Sequence, residues 1–141
     1  MTVENPTQEQ IFKYLKEAKR IAVVGLSNKE DRTSYQIAKL LQESGYEIIP
    51  VNPVLAGQKI LGEQVYEKLQ DVPGTIDIVD IFRRSEFLPE VARDFIETDA
   101  KVFWAQLGLE SDEAAEILKK AGRNAIIMNR CIKIELSKMP K

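Results

Sequence analysis

The sequence contains no histidine and only one cysteine, Cys131. Without histidine, the chain cannot use a histidine general base, a Ser-His-Asp triad, a histidine-ligated zinc ion or a phosphohistidine relay. One cysteine excludes an intrachain disulfide and a zinc site built from cysteines. The commonest forms of nucleophilic and zinc catalysis are therefore excluded, and so sparse a use of cysteine is typical of a cytoplasmic protein.

Long apolar runs and an excess of charge of one sign are also missing. No apolar run approaches the roughly 20 residues that span a membrane, and residues 1–6 lack the basic and apolar stretches of a signal peptide. The 20 basic and 22 acidic side chains give a formal net charge of −2, which favours neither nucleic acid nor an anionic membrane as a partner. We therefore predict a cytoplasmic protein whose 141 residues form a single domain, residues 1–141.

Short apolar runs alternate with helical patterns along the chain. The predicted strands are residues 20–25, 47–51, 76–82, 101–104 and 125–128. Helices are predicted from the Thr7/Gln10 and Thr33/Gln36 capping boxes, from Pro89, from the N-cap Ser111 and over residues 131–136, with an irregular stretch at 53–62 and a short helix around 66–70. This alternation predicts an α/β fold, a three-layer Rossmann-like domain. Its doubly wound parallel sheet would have about five strands, with helices on both faces.

The first strand ends abruptly at Gly25, and polar residues lead from it to the next helix. Glycine lets the backbone turn tightly and approach a ligand closely, and the start of a helix offers unpaired N–H groups to an anion. A dinucleotide fingerprint needs further glycines, and the chain has Ser27, Lys29 and Glu30 there. The turn therefore fits either a phosphate site or an ordinary strand-to-helix connection.

The carboxyl ends of parallel strands meet at one edge of a sheet, where α/β domains bind ligands. Arg83 and Arg84 follow the third predicted strand, and Arg32 lies in the first loop. Their guanidinium groups suit phosphates. Arg83 and Arg84 could also be a solvated basic pair that balances the charges of Glu86 and Glu90.

Other strand ends carry residues that narrow the choice of ligand. Strand two ends in Asn52-Pro53, where an NAD site needs an acid, and no P-loop motif occurs. Trp104 and Gln106 could line a pocket, or Trp104 could belong to the core. Asp80 could contact the site, but no paired acid for acid–base catalysis is evident there.

Taken together, these segments resemble a known family. The resemblance covers roughly residues 19–135 and departs at residues 28–30, where the family often carries proline. The motifs that carry it are Val24-Gly-Leu-Ser-Asn28, Arg32-x-Ser34-Tyr35, Pro50-Val-Asn-Pro53, Asp77-Ile-Val-Asp-Ile-Phe-Arg-Arg84, Trp104-Ala-Gln-Leu-Gly108 and Asn129-Arg-Cys-Ile-Lys-Ile-Glu135. The chain is similar to the small, stand-alone CoA-binding domain proteins of bacteria and archaea, and to the Rossmann-like CoA-binding domain of the succinyl-CoA synthetase α subunit.

The resemblance implies that the chain binds coenzyme A or an acyl-CoA without catalysis of its own. The diphosphate would lie at residues 25–27 and the helix start near Ser34, with phosphate partners among the arginines. Asn52, Pro53 and Phe82 would frame the nucleotide or the pantetheine, and Trp104, Gln106 and Cys131 would lie on the far side of the cleft. The full set of implied cofactor-binding residues is Gly25, Leu26, Ser27, Asn28, Arg32, Ser34, Tyr35, Asn52, Pro53, Phe82, Arg83, Arg84, Trp104, Gln106 and Cys131.

Three further expectations accompany this interpretation. Succinyl-CoA synthetase works through a phosphorylated histidine on a separate domain, which this chain cannot supply. Cys131, flanked by Arg130 and Lys133, could form a mixed disulfide with CoA, or it could be a small packing residue. The alternative functions are an NAD(P)-dependent oxidoreductase and a regulatory interaction module without a ligand.

Overall fold

The computed structural model describes residues 4–140. Met1, Thr2 and Val3, part of the segment from which we predict the absence of a signal peptide, lie outside the described residues, as does Lys141. In the part of the chain that is described, no helix has the length and apolar character needed to cross a bilayer.

A parallel five-stranded sheet and a small hairpin organise residues 4–140. The strands are β1 Arg20–Val24, β2 Glu47–Val51, β3 Lys59–Ile60, β4 Glu63–Gln64, β5 Ile78–Ile81, β6 Val102–Ala105 and β7 Ile126–Ile127. The sheet order is β2-β1-β5-β6-β7, while β3 and β4 pair antiparallel with each other. The order runs outwards in both directions from the β1/β5 pair, which makes this pair the switch point of a doubly wound sheet.

Helices cover both faces of the sheet and bury its apolar side chains. They are α1 Gln8–Glu17, α2 Thr33–Glu43, α3 Leu88–Ile96, α4 Asp112–Lys120 and α5 Ile132–Ser137, with 3-10 turns at Leu69–Asp71 and Ser85–Phe87. Ala22 and Val24 of β1 pack in the layer of α3 and α4, whereas Ile21 and Val23 pack in the layer of α1, α2 and α5. The strands read as continuous apolar runs because both faces are covered. The predicted α/β class with a doubly wound parallel sheet is confirmed.

Some local predictions are confirmed and others are wrong. Thr7 caps α1 by accepting a hydrogen bond from the Gln10 N–H (3.2 Å), and Ser111 caps α4. The Thr33/Gln36 capping box is wrong, because α2 begins at Thr33 itself and its N-cap, Arg32, makes no side-chain cap. In place of the short helix predicted around 66–70, the structure has the 3-10 turn Leu69–Asp71. Residues 59–64, which are partly predicted to be irregular, form the β3–β4 hairpin.

The third predicted strand is shorter than its apolar run. Asp77 lies before β5, and its Oδ2 accepts hydrogen bonds from the backbone N–H groups of Lys19 (2.8 Å) and Arg20 (2.9 Å). A carboxylate that receives two backbone donors fixes the entry of β1 beside the entry of β5. Asp77 therefore belongs to the amino edge of the sheet, opposite the predicted site.

The two outer strands of the sheet are occupied by other parts of the chain. Next to β7, the side-chain amide of Asn5 donates to the Met128 carbonyl (2.9 Å) and accepts from the Met128 N–H (2.8 Å). Next to β2, the Tyr66 N–H donates to the Pro50 carbonyl, and the Tyr66 carbonyl accepts from the Asn52 N–H. Backbone groups at both edges thus find partners within the chain.

Gly25 joins the ends of three strands. Its φ is +84°, its N–H donates to the Val51 carbonyl (2.9 Å), and the neighbouring Val24 carbonyl accepts from the Phe82 N–H (2.8 Å). A Cβ built on Gly25 would lie 2.5 Å from the Phe82 carbonyl oxygen and 3.2 Å from Arg83 Cγ. The glycine is therefore required by the approach of β1 to the chain leaving β5, whether or not a ligand lies nearby.

Replacing Gly25 by alanine should destabilise the fold strongly. The left-handed backbone alone costs an alanine about 1–2 kcal/mol, and the contact with the Phe82 carbonyl adds about 1–3 kcal/mol of overpacking. Urea denaturation should show the sum as a lower free energy of unfolding. Gly45→Ala is the matched control, since Gly45 also has a positive φ (+102°) but an added Cβ meets nothing within 4 Å. Equal losses in the two variants would contradict the steric role of Gly25.

Candidate functional site

Two cavities open at the carboxyl edge of the sheet and share Gly25 and Phe82 in their walls. The larger measures about 710 Å³ and lies between the ends of β1, β2 and β5 and the first two turns of α3. The smaller measures about 480 Å³ and lies against the start of α2. Their position at the switch point is where an open α/β sheet has room for a ligand.

The larger cavity combines apolar walls with two arginines. Val24, Val51 and Phe82 contribute from the strand ends, and Arg83 and Arg84 lie where the chain leaves β5. Apolar walls with a few polar groups are typical of small-molecule sites.

The two arginines of the larger cavity are weakly engaged with protein partners. The Arg83 guanidinium lies 4.5 Å from the centroid of the Phe87 ring. Arg84 Nη1 lies 3.4 Å from Glu86 Oε1, and the Arg84 side chain is 83% exposed. An exposed pair of this kind contributes little to stability, so the Arg84 guanidinium can exchange Glu86 for another anion.

Asn52, at the end of β2, uses its side chain to shape the site. Its Nδ2 donates to the Leu26 carbonyl (3.1 Å), and its Oδ1 accepts from the Val54 N–H (2.9 Å). The first bond ties the loop after β1 to the end of β2, and the second forms an Asx turn around Pro53. Asn52 therefore holds two walls of the larger cavity in place.

The smaller cavity has the features of an anion site. No side chain caps α2, and its first turn carries no acidic residue. Lys29 and Arg32 line the cavity, while Ser34 Oγ accepts from the Ser27 N–H (3.1 Å) and fixes the loop over the helix start. An uncapped helix N-terminus with two nearby cations attracts negative charge.

The cavities bring together nine of the residues predicted to bind a cofactor: Gly25, Ser27, Arg32, Ser34, Asn52, Pro53, Phe82, Arg83 and Arg84. The other six line neither cavity: Leu26, Asn28, Tyr35, Trp104, Gln106 and Cys131. Leu26 is fully buried, Asn28 is exposed, and Tyr35 and Cys131 are half-buried against the core. Contact of any of the fifteen with a ligand stays a prediction.

Trp104, near the end of β6, and Gln106, directly after it, form hydrogen bonds with the segment that follows β7. The Trp104 indole N–H donates to the Arg130 carbonyl (2.9 Å), and Gln106 Oε1 accepts from the Ile132 N–H (3.4 Å). Asn129 Oδ1 accepts from the Gly108 N–H (2.7 Å). These hydrogen bonds join the motif at 104–108 to the motif at 129–135. Both motifs therefore have a structural role in the fold.

Sequence reasoning missed the outer wall of the larger cavity. Glu67 and Lys68 come from the segment after β4, Phe87 comes from the turn just before α3, and Glu90 and Asp94 come from α3. Gln70 Nε2 bridges these two walls by donating to Asp94 Oδ1 (3.0 Å). The three- and four-residue spacing of the α3 residues places them on one helix face, a signal that only gains meaning once α3 is known to border the site.

Asp80 is buried in the middle of the sheet, on the face that carries α1, α2 and α5. Its exposure is 0%, Gln106 Nε2 donates to its Oδ1, and no partner for its Oδ2 exists among residues 4–140. Burial raises the pKa of Asp80 from an ordinary value of 3.8 to about 8, although the hydrogen bond from Gln106 acts in the opposite direction. The carboxyl is therefore neutral at pH 7 and lies outside both cavities.

The raised pKa predicts how stability depends on pH. The folded carboxyl keeps its proton up to about pH 8, whereas the unfolded chain releases it near pH 4. The contribution of Asp80 to the free energy of unfolding is therefore complete below about pH 4. Between about pH 4 and about pH 8, this contribution falls by at most about 1.4 kcal/mol per pH unit. Asp80→Asn should flatten this slope in urea denaturation measured at several pH values. Parallel slopes in wild type and variant would contradict the assignment.

Comparison with known proteins finds relatives that match most of the chain. Residues 19–137 match the family described as the CoA binding domain. The chain is 52% identical over 132 residues to the protein YneT of Bacillus subtilis (strain 168), covering 94% of this chain and 96% of YneT. A solved structure of a hypothetical protein from Pyrococcus horikoshii OT3 superposes with a TM-score of 0.90 at 33% identity, covering 98% of this chain and 95% of that one.

A more distant relative belongs to a larger protein. The α subunit of ADP-forming acetate–CoA ligase I from Pyrococcus furiosus is 30% identical over 115 residues, which cover 74% of this chain. The match spans 25% of the length of that subunit.

Proposed function

Because this chain belongs to the CoA-binding domain family, we propose that it binds coenzyme A or an acyl-CoA in the two adjoining cavities. The observation that carries the proposal is their junction at Gly25 and Phe82, with separate basic groups on either side. Coenzyme A is an elongated molecule with a diphosphate and a separate 3′-phosphate, so it needs two anion-binding places on one continuous surface.

The smaller cavity is proposed to hold the diphosphate. The uncapped start of α2, with Lys29 and Arg32 beside it, offers backbone N–H groups and positive charge. Arg83 and Arg84, in the larger cavity, are proposed to hold the 3′-phosphate through their planar guanidinium groups. The apolar surfaces of Val24, Val51 and Phe82 then remain for the uncharged parts of the ligand.

Binding without ligase chemistry is the second part of the proposal. The related ligase subunit is about four times as long as the matched region, and this chain has no histidine that could carry a phosphoryl group. Asp80 cannot act on a ligand in either cavity, because it is sealed in the core. A reducing compartment, the cytoplasm, is proposed from the single cysteine.

Calorimetry with CoA tests the binding proposal directly. CoA should bind and should raise the melting temperature with concentration, because a ligand that binds only the folded state stabilises it. Arg83→Gln/Arg84→Gln should weaken CoA binding by about 2–4 kcal/mol, roughly 30- to 700-fold. Dephospho-CoA, which lacks the 3′-phosphate, should be affected much less by the double substitution.

The matched control is Arg93→Gln/Lys119→Gln, which removes the same charge from exposed helix positions that line neither cavity. This control should bind CoA as the wild type does. Equal affinities for CoA in all three proteins would show that Arg83 and Arg84 are solvated surface residues that do not bind CoA. Heat from NAD but none from CoA at millimolar concentration would reject the proposed function itself.

A turnover assay tests the absence of ligase chemistry. The protein, incubated with CoA, acetate or succinate, and ATP or GTP, should form no acyl-CoA and no phosphoprotein, because no histidine is present to accept the phosphoryl group. Mass spectrometry of both the small molecules and the intact protein provides the measurement. Stoichiometric phosphoprotein together with acyl-CoA would overturn this part of the proposal.

A further inference from the structure

A short chain of buried polar groups connects the central strand to the last helix. Gln106 Nε2 donates to Asp80 Oδ1, and Gln106 Oε1 accepts from the Ile132 N–H, the first residue of α5 (3.4 Å). Asp80 and Ile132 are 0% exposed, and Gln106 is 5% exposed. These three groups, called the Asp80 latch below, link β5, the chain after β6 and α5.

The helix α5 depends on such links because it is short. Six residues are far below the length at which a helix is stable alone in water. Ile132 anchors it in the core, and Glu135 binds Arg130 (3.0 Å) and Lys138 (3.4 Å). Gln8 Nε2 also donates to Glu135 Oε1 (3.2 Å), and the latch adds a polar contact at the first residue of α5.

The neutral and the ionised carboxyl of Asp80 differ greatly in their free energy in this buried position. Ionisation would strengthen the hydrogen bond from Gln106, but burial is the larger effect. The carboxylate would keep an unpartnered Oδ2 in an apolar layer, and a buried charge with one donor is strongly unfavourable. The neighbours along the sheet are Val23 of β1 and Trp104 of β6, which carry no charge. Solvation of the ionised Asp80 carboxylate therefore requires a movement that admits water.

The titratable groups in the surrounding layer do not compensate a charge on Asp80. The helices α1 and α2 contribute Tyr14 and Tyr35, and Tyr46 donates its hydroxyl to the Leu15 carbonyl. The helix α5 contributes Glu135, already paired with cations, and is preceded by Cys131. Among the described residues, no cation bonds to Asp80, and Gln106 is the side chain that does.

We propose that Asp80 and Gln106 form a proton-dependent latch that holds the start of α5 against the sheet and releases it when Asp80 loses its proton. The buried position that raises the pKa of Asp80 to about 8 brings this release just above neutral pH. The latch is a property of the fold and needs no ligand, so it stands independently of the proposed binding of CoA.

Trp104 is a built-in reporter for this movement. It is the single tryptophan of the chain, it lies opposite Asp80 in the pairing of β5 with β6, and its indole donates to the Arg130 carbonyl just before α5. Both a nearby negative charge and a shift of the chain at residues 130–132 would change its emission.

The experiment follows Trp104 fluorescence and hydrogen exchange of residues 130–137 from about pH 6 to about pH 9.5. Wild-type protein should show an emission change with a midpoint near 8, and the Ile132 amide should lose protection over the same interval beyond the intrinsic effect of pH. Both changes should vanish in Asp80→Asn, whose side chain does not ionise. Both should persist in Cys131→Ser, which removes the single thiol of the chain, next to Ile132.

Flat emission and constant protection in the wild type would overturn the latch, as would changes that persist in Asp80→Asn. Should that variant fail to fold, carbon NMR of the wild-type Asp80 carboxyl gives the answer. A midpoint near 8, shared with the Ile132 amide shift, supports the latch. Ionisation of the carboxyl near pH 4, or an amide shift with a different midpoint, contradicts it.

Discussion

The contact between Gly25 and the Phe82 carbonyl is the constraint from which the rest of the site follows. Three strand ends converge at Gly25, and a Cβ there would lie 2.5 Å from the Phe82 oxygen. Because the chain leaving β1 is held so close to the chain leaving β5, the two must diverge immediately afterwards. One branch leads to the start of α2 and the other to the start of α3, and the two cavities lie on either side of the junction. The same glycine that the sequence marks as a ligand-binding feature is first of all a packing requirement.

Much of the fold was predictable because its elements are set by local patterns. The alternation of apolar runs and helical stripes predicts the parallel sheet, and the caps at Thr7 and Ser111 are formed as their spacing indicates. The errors arise where tertiary contacts compete with local preference. The helix α2 already begins at Thr33, with Arg32 as its N-cap, so Thr33 does not cap it. Asp77 lies before β5 and binds the backbone entering β1.

The candidate site was predictable in outline only. Topology requires that strand ends meet, so the order of strands and helices along the chain is enough to predict a site around Gly25, Asn52 and Phe82. Sequence could not separate residues that face the cavities from residues that hold the edge together. Trp104 lies near the end of β6 and Gln106 directly follows that strand, much as Arg83 lies just beyond β5, yet both side chains bond to the backbone at residues 130–132. The outer wall from α3 depends on the angle at which that helix crosses the sheet, which no local pattern specifies.

The partners of the two outer strands bear on how the protein behaves in a crowded solution. A bare strand edge is a template on which another chain can add itself, the first step towards aggregates. Here a side-chain amide, that of Asn5, imitates a neighbouring strand for Met128, and Tyr66 does the same with its backbone beside β2. Sheet extension by a second molecule must first displace these contacts, so both edges are protected against growth by self-association. A single asparagine outside every helix and strand thus covers the backbone of Met128 at one edge of the sheet.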